Sequence, residues 1–484
     1  MFAAVELGTN GFRLHIGKPV GESIHLVRTA HDPIRWTDGL DKDGMLSAAA
    51  AADALRCLTE FGAILKDYPL QAVRAVGTNT LRAARNTPAF LPLAGQALGY
   101  PIEIISGEEE GRLIYMGVAR ALGRPGERRL VIDIGSGSTE IVHGQGDDIG
   151  TVESFGIGAH RQGASFFADG RVDAASFEAA VMSTRARLQD AAGVFRARQW
   201  DAVYGASGTV RSIGELVAAQ AGGDGTMCRD KLLALRDKLL EAGHVGALAL
   251  PGIPPDGSPV IAGGLAVLLG VMQELGIERV APVDAGLRLG LLSDLERQST
   301  RHDRRDASVQ AFMRRFAVDE ARANRTAAIA GRLYDELGHD SEQYCRLLAW
   351  ACLLHEVGQA ISNSGAHRHA AYIIEHADLP GFTAREQRVI STLVMAQKGN
   401  LGKVRDQLAE PDFRKAVLAL RLAVICMHAD ADRDIGELTL RMKARIEVQA
   451  PAAWFRRHPT MTWWLDKEDE WWDEVGVPLV VRPA

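Results

Sequence analysis

The stretch Leu130-Val131-Ile132-Asp133-Ile134-Gly135-Ser136-Gly137-Ser138-Thr139-Glu140 decides the fold. An apolar strand runs into an acid, a glycine-hydroxyl turn and a second acid, and Ile141-Val142 then restarts an apolar strand. That order predicts a hairpin. The start of the chain repeats it: residues 2–7 and 13–16 flank Gly8-Thr9-Asn10-Gly11, with Glu6 in the place of Asp133. A third glycine turn, Gly205-Ala206-Ser207-Gly208-Thr209, follows the apolar run at 202–204. Two halves that each open on an acid-glycine hairpin predict a duplicated α/β fold with a cleft between its lobes.

Outward from these hairpins, residues 46–65 and 111–122 carry apolar positions at helical spacing, and 71–76 and 101–105 read as short buried strands. Near 297–306 the sequence turns polar and arginine-rich, and 307–440 reads as mostly helical. No later stretch reads as a central strand. Val477-Pro478-Leu479-Val480-Val481 is expected to form an edge strand, because proline cannot donate to a central ladder. Five of the eight tryptophans lie from Trp454 onward and read as packing anchors. A chain of 484 residues exceeds what one hydrophobic core supports. The expected domains are 1–125, 126–300, 301–440 and 441–484.

A net charge of −6 argues against a protein that coats DNA, so any polyanionic substrate needs a local basic patch. The five cysteines form no Cys-x-x-Cys pair, which speaks against a structural zinc site or a disulfide framework and suits a reducing cytosol. The first residues read as a strand that meets Glu6, not as a signal peptide. No apolar run approaches the roughly 20 residues of a membrane helix. The expected location is cytoplasmic, with no membrane span.

Glycine lets backbone N–H groups approach an anion closely. The turns at 8–11 and 135–138 therefore read as phosphate cradles built on Gly8, Thr9, Asn10, Gly135, Ser136, Gly137, Ser138 and Thr139. The adjoining acids Glu6, Asp133 and Glu140 cannot bind phosphate directly and read as ligands of Mg²⁺ or as orienters of water. The acidic run Ser106-Gly107-Glu108-Glu109-Glu110-Gly111-Arg112 fits a helix N-terminus, and a carboxylate from it can enter the cleft as a general base. Arg82, after Gly77-Thr78-Asn79-Thr80, is the preferred phosphate-binding arginine. No Gly-x-x-x-x-Gly-Lys-Ser/Thr loop is present, which excludes a P-loop enzyme. His355-Glu356 stands where a metal-dependent phosphohydrolase of the HD type would carry His-Asp, and reads as structural or as a substrate contact, not as a metal centre.

These motifs resemble the exopolyphosphatase and guanosine-pentaphosphate phosphatase family. The likeness rests on residues 4–10, Gly77-Thr78-Asn79-Thr80-Leu81-Arg82, Ile105-Ser106-Gly107-Glu108-Glu109-Glu110, residues 131–140, residues 205–209 and Gly286-Leu287-Arg288. Leu354-His355-Glu356-Val357-Gly358 and His367-Arg368-His369-Ala370-Ala371-Tyr372 resemble the long bacterial form. The resemblance implies two actin-like (ribonuclease H-like) ATPase-type domains, an all-α HD-like domain and a small C-terminal α+β domain. It implies Mg²⁺-dependent hydrolysis of a terminal phosphoanhydride, with Glu110 as catalytic base, Asp133, Gly135, Ser138 and Glu140 as phosphate and metal residues, and Arg82 on phosphate. It also implies a homodimer and inorganic polyphosphate as substrate, with guanosine pentaphosphate (pppGpp) as the alternative. The chain departs from the family pattern at Glu6, where aspartate is usual, and at Thr9, Gly11, Gly111 and Leu289. A kinase of the same superfold, an HD-type hydrolase and a non-catalytic actin-like nucleotide sensor are the rival readings.

Overall fold

Strand faces explain where everything else sits. In the computed structural model, described over residues 1–9, 11–21, 23–34, 40, 43–167, 169–196, 199–244, 258–299, 304–339, 341–377, 379, 381–382, 384–443 and 445–483, the chain divides into two compact units, Met1–His302 and Asp303–Ala484. In the first unit, β1 (Phe2–Gly8), β2 (Gly11–Val20), β3 (Ser23–Asp32), β4 (Ala72–Gly77) and β5 (Ile102–Ile104) form a sheet of order β3-β2-β1-β4-β5. A second sheet holds β6 (Arg128–Ile134), β7 (Thr139–Gln145), β8 (Asp148–Phe155), β9 (Ala202–Gly205), β10 (Met227–Cys228) and β11 (Arg279–Pro282), ordered β10-β11-β9-β6-β7-β8. Taken from β8, it repeats the order of the first sheet with β10 added at the edge. Directions repeat as well: β1 is antiparallel to β2 and parallel to β4, while β6 is antiparallel to β7 and parallel to β9. This is the duplicated actin-like fold.

Both central strands are buried on both faces, as parallel sheets covered by helices require. Ala3, Val5 and Leu7 of β1 enter one core; Leu130, Ile132 and Ile134 of β6 enter another. The alternate residues Phe2, Ala4 and Val131 meet in a third core with Leu113, Tyr115 and Leu291. Two helices, Gly107–Leu122 and Leu287–Ser299, contribute to that third core. They cross so closely that a Cβ at Gly290 would lie 1.8 Å from the Leu113 carbonyl oxygen, and one at Gly117 would lie 2.2 Å from that of Gly286. Only glycine permits this contact.

The second unit is mainly helical. Its helix Pro411–His428 is buried almost throughout. Its sheet holds β12 (Thr439–Met442), β13 (Ile446–Ala450) and β14 (Leu479–Pro483), in the order β12-β13-β14. β14 is the expected edge strand. β13 corrects the expectation that no central strand lies between the helical region and the end. Its Ile446-Glu447-Val448-Gln449-Ala450 alternates apolar and polar residues over only five positions, a weak signal after a long helical run. Trp454 and Trp472 are fully buried, as anchors should be, whereas Trp463 is exposed.

Inside this unit Arg421 is wholly buried. Its Nε and Nη2 donate to the Glu468 carboxylate at 2.6 and 2.7 Å, Nη1 donates to the Ala396 carbonyl, and the guanidinium lies 5.1 Å from the Trp471 ring centre. Removing one member of such a pair strands a charge in the core, at a cost of about 3–5 kcal/mol. Arg421→Leu is expected to lower the stability of this unit by about that amount in urea denaturation. A loss below about 1 kcal/mol, the scale of an exposed pair, would contradict the assignment.

Candidate active site

The period-two alternation of β1, β6 and β7 brings the acids together. Glu6 follows Phe2 and Ala4 on one face of β1; Asp133 follows Val131 on β6; Glu140 precedes Val142 on β7. All three lie on the face that meets the helix Gly107–Leu122, which carries Glu110. In the second hairpin Asp133 stands directly opposite Glu140, whereas in the first Glu6 stands opposite Arg13. The ends of these elements enclose a cavity of about 370 Å³. Of the residues expected at the site, Glu6, Gly8, Thr9, Glu110, Asp133, Gly135, Ser136 and Ser138 line it. Asn10 lies outside the described residues.

Arg82, Gly137, Thr139 and Glu140 do not line the cavity. Thr139 Oγ1 is committed to the Ile157 carbonyl at 2.7 Å. Gly137 passes so close to Asn79 that a Cβ would lie 2.0 Å from its Nδ2, so this glycine serves a close approach of the two lobes. Arg82 Nη1 donates to Glu110 Oε2 at 2.8 Å and to the Ile105 carbonyl at 2.8 Å. The guanidinium therefore orients the Glu110 carboxylate from behind. Glu140 is buried behind the cavity wall, where Ser154 Oγ donates to its Oε1 at 2.8 Å.

Burial and like charge raise the carboxyls. Desolvation pushes Glu110 up against the opposing pull of Arg82. Asp133 is pushed up to about 7, first by desolvation and then by Glu110 and Glu6. Glu140 is pushed well up by desolvation, then by Glu110 and Asp133. Glu6 instead accepts a hydrogen bond from Arg288 Nη1 at 2.8 Å.

Glu109 and Glu110 are adjacent, yet the helix turns about 100° between them and gives them different roles. Glu109 is buried with Arg74, Arg112 and Asp294. Arg112 donates to it through Nε at 2.6 Å and Nη2 at 2.8 Å, and Arg74 through Nη2 at 3.1 Å. Arg74 also reaches Asp294 at 2.6 Å and Glu103 at 2.7 Å. The cluster ties β4, β5 and the two crossing helices together, and fixes which way Glu110 faces.

The sequence reading assigned no role to Arg13, His15, Arg211 or Arg288. Arg13, Arg211 and Arg288 form a cationic wall of the cavity, with His15 beside them as a neutral imidazole. Burial lowers Arg13, and His15 is held down at about 4 by burial and by Arg288 and Arg13. The signal was present in Arg13-Leu14-His15, which puts two basic residues on one face of β2. Among the described residues, Ser136 Oγ and Arg288 Nε are buried polar atoms without a hydrogen-bond partner. Both residues line the cavity.

In the second unit His355 is buried, with Nδ1 2.6 Å from the Cys352 carbonyl oxygen, and Glu356 is paired with Arg322 at 2.9 Å. Among the described residues no metal-ligand group of three includes either of them. Arg305, in the arginine-rich stretch that opens this unit, is paired with Glu386 at 2.6 Å in a buried contact.

The chain matches the Ppx/GppA phosphatase family over residues 16–299, and domain III of the same family over residues 304–469. It belongs to the Ppx/GppA phosphatase family. The fold resembles that of an exopolyphosphatase from Cytophaga hutchinsonii, at 21% identity and a TM-score of 0.55, over 61% of this chain and 97% of that one. A PPX-GPPA enzyme from Aquifex aeolicus is similar at 22% identity and a TM-score of 0.53, over 60% of this chain and 98% of that one. No helix among the described residues of this Ppx/GppA phosphatase is long and apolar enough to cross a membrane.

The donors fit a hard divalent cation. They are all oxygens, and two of the carboxyls face each other across a hairpin, an arrangement that repels unless a cation or a proton intervenes.

The raised Asp133 carboxyl sets a pH dependence. Its proton is held in the folded state up to about pH 7 but lost from the unfolded chain near 3.8, so metal-free stability falls as pH rises through that window. Asp133→Asn removes this loss. At pH 8 the metal-free variant is expected to exceed the parent by about 2 kcal/mol. Denaturation at pH 5 and pH 8 checks it; a parent whose stability rises with pH across that range, with no gain in the variant, would refute it.

Proposed function

We propose that this chain is an exopolyphosphatase, releasing terminal orthophosphate from inorganic polyphosphate by Mg²⁺-dependent hydrolysis. The observation that carries the reading is one cavity joining raised carboxyls, a glycine-turn hydroxyl without a partner and a cationic wall. The terminal phosphoryl group sits at the turn formed by residues 135–138, where Ser136 Oγ and backbone amides donate to its oxygens. Arg288 and Arg13 offset the charge of the following phosphates. Glu110 takes a proton from water as its oxygen attacks phosphorus and the bridging P–O bond breaks. Its raised affinity for protons suits it to that role at neutral pH. Asp133, with Glu140 behind it, would hold Mg²⁺, and Glu6 stands nearby on Arg288. When bound, Mg²⁺ supplies charge neutralisation at the phosphoryl oxygens.

Polyphosphate is ranked above guanosine pentaphosphate on the likeness of residues 367–372 and of Met116-Gly117-Val118 to the exopolyphosphatase branch of the family. A cytoplasmic homodimer fits the same reading. The test is phosphate release from both purified substrates, with and without Mg²⁺. Better kcat/KM on the nucleotide would reverse the order of substrates.

Glu110→Gln keeps shape but removes the base, and is expected to cut kcat by about 10²–10⁴-fold while polyphosphate binding survives. Near-parental turnover would move the base elsewhere. Glu109 is not the replacement, since both of its oxygens are taken by buried arginines.

A further inference from the structure

We propose that Asp335, His339 and Cys345 form a binding site for one divalent transition-metal ion of the zinc class, outside the catalytic cavity and independent of it. The helix Glu320–Glu336 ends, Gly338 turns the chain at a φ of 66°, and Ser341 caps the helix Glu342–Leu354. Asp335 leaves the last turn of the first helix, His339 the connection, and Cys345 the first turn of the second. An ion held by all three would staple this helix–helix corner.

The ligand atoms lie within 4.8 Å of one another, and this is the only such group of three or more among the described residues. His339 Nε2 is 3.0 Å from Asp335 Oδ1 and 3.4 Å from Cys345 Sγ. Tetrahedral zinc, with bonds of about 2.0–2.3 Å, separates nitrogen from oxygen by about 3.4 Å and from sulfur by about 3.6 Å. These two separations are thus within a few tenths of an ångström of the spacing needed, and the third is bounded at 4.8 Å. Sγ is also 3.6 Å from Nδ1, so it lies beside the ring face. Loading the site turns the imidazole about Cβ–Cγ to aim Nε2 at the ion. The ring, stacked on Tyr334 at 4.7 Å, is otherwise tied only to Asp335 and Cys345.

The surrounding charge favours a cation. Burial first, and then the charges of Asp335, Glu342 and Asp412, hold the Cys345 thiol above its ordinary value. The nearby ammonium of Lys415 is spent on the Gly338 carbonyl at 2.6 Å and lies 3.5 Å from Asp412. One nitrogen, one sulfur and one carboxylate suit a borderline-soft ion and not Mg²⁺. A fourth position stays open to water.

The full chain, stripped with chelator and kept reduced, is titrated with Co²⁺ while thiolate-to-cobalt absorption is followed. One equivalent is expected to bind, Zn²⁺ to displace it and Mg²⁺ not to. Cys345→Ser is expected to abolish the absorption. Asp335→Asn, a change at an exposed side chain that leaves packing intact, is expected to weaken Co²⁺ binding at least tenfold. No thiolate absorption in the parent, absorption that persists in Cys345→Ser, or unchanged affinity in Asp335→Asn would each overturn the site.

Discussion

Asp133 and Glu140 face each other across a hairpin, on a surface that packs against the helix carrying Glu110. Three carboxyls in one buried region are costly to keep charged: burial first, and then their like charges, raise their proton affinities, with Arg82 opposing this only at Glu110. The rest of the cleft is arranged around this constraint. Arg82 braces Glu110, Ser154 holds Glu140, and Arg288 takes Glu6. What remains open is a cavity whose acidic side suits a metal ion and whose basic side suits the phosphates beyond it.

Position matters as much as charge. The helix Gly107–Leu122 is held by Glu109, through buried arginines from β4 and from its own next turn, and by the glycine crossing with Leu287–Ser299. Both contacts bear on the helix that carries Glu110 into the cleft. A buried ion cluster is a weak source of net stability, but breaking it exposes an uncompensated charge. The cluster therefore acts chiefly to specify one orientation of the helix, and this gives the acidic run at 108–110 two unlike functions in adjacent residues.

The duplication was legible because its signal is local: each half opens with an acid-glycine hairpin, and the sheets repeat the same strand order. The cavity-lining acids and turn residues were legible for the same reason. The cationic wall was not, because Arg13, Arg211 and Arg288 come from distant segments whose convergence depends on sheet order. Arg82 was placed on phosphate from its loop position and from the family resemblance; its pairing with Glu110 depends on a contact 28 residues along the chain that no local pattern shows. The strand β13 was hidden by its brevity.

The central claim is that the cleft keeps carboxyl protons which a divalent cation displaces. Calorimetric titration of the metal-free protein with Mg²⁺ at pH 6.5, in two buffers of different ionisation enthalpy, tests it most directly. The account predicts saturable binding whose apparent heat differs between the buffers, reporting proton release, and a smaller release in Asp133→Asn. Binding with identical heats in both buffers, or no binding at all, would contradict it.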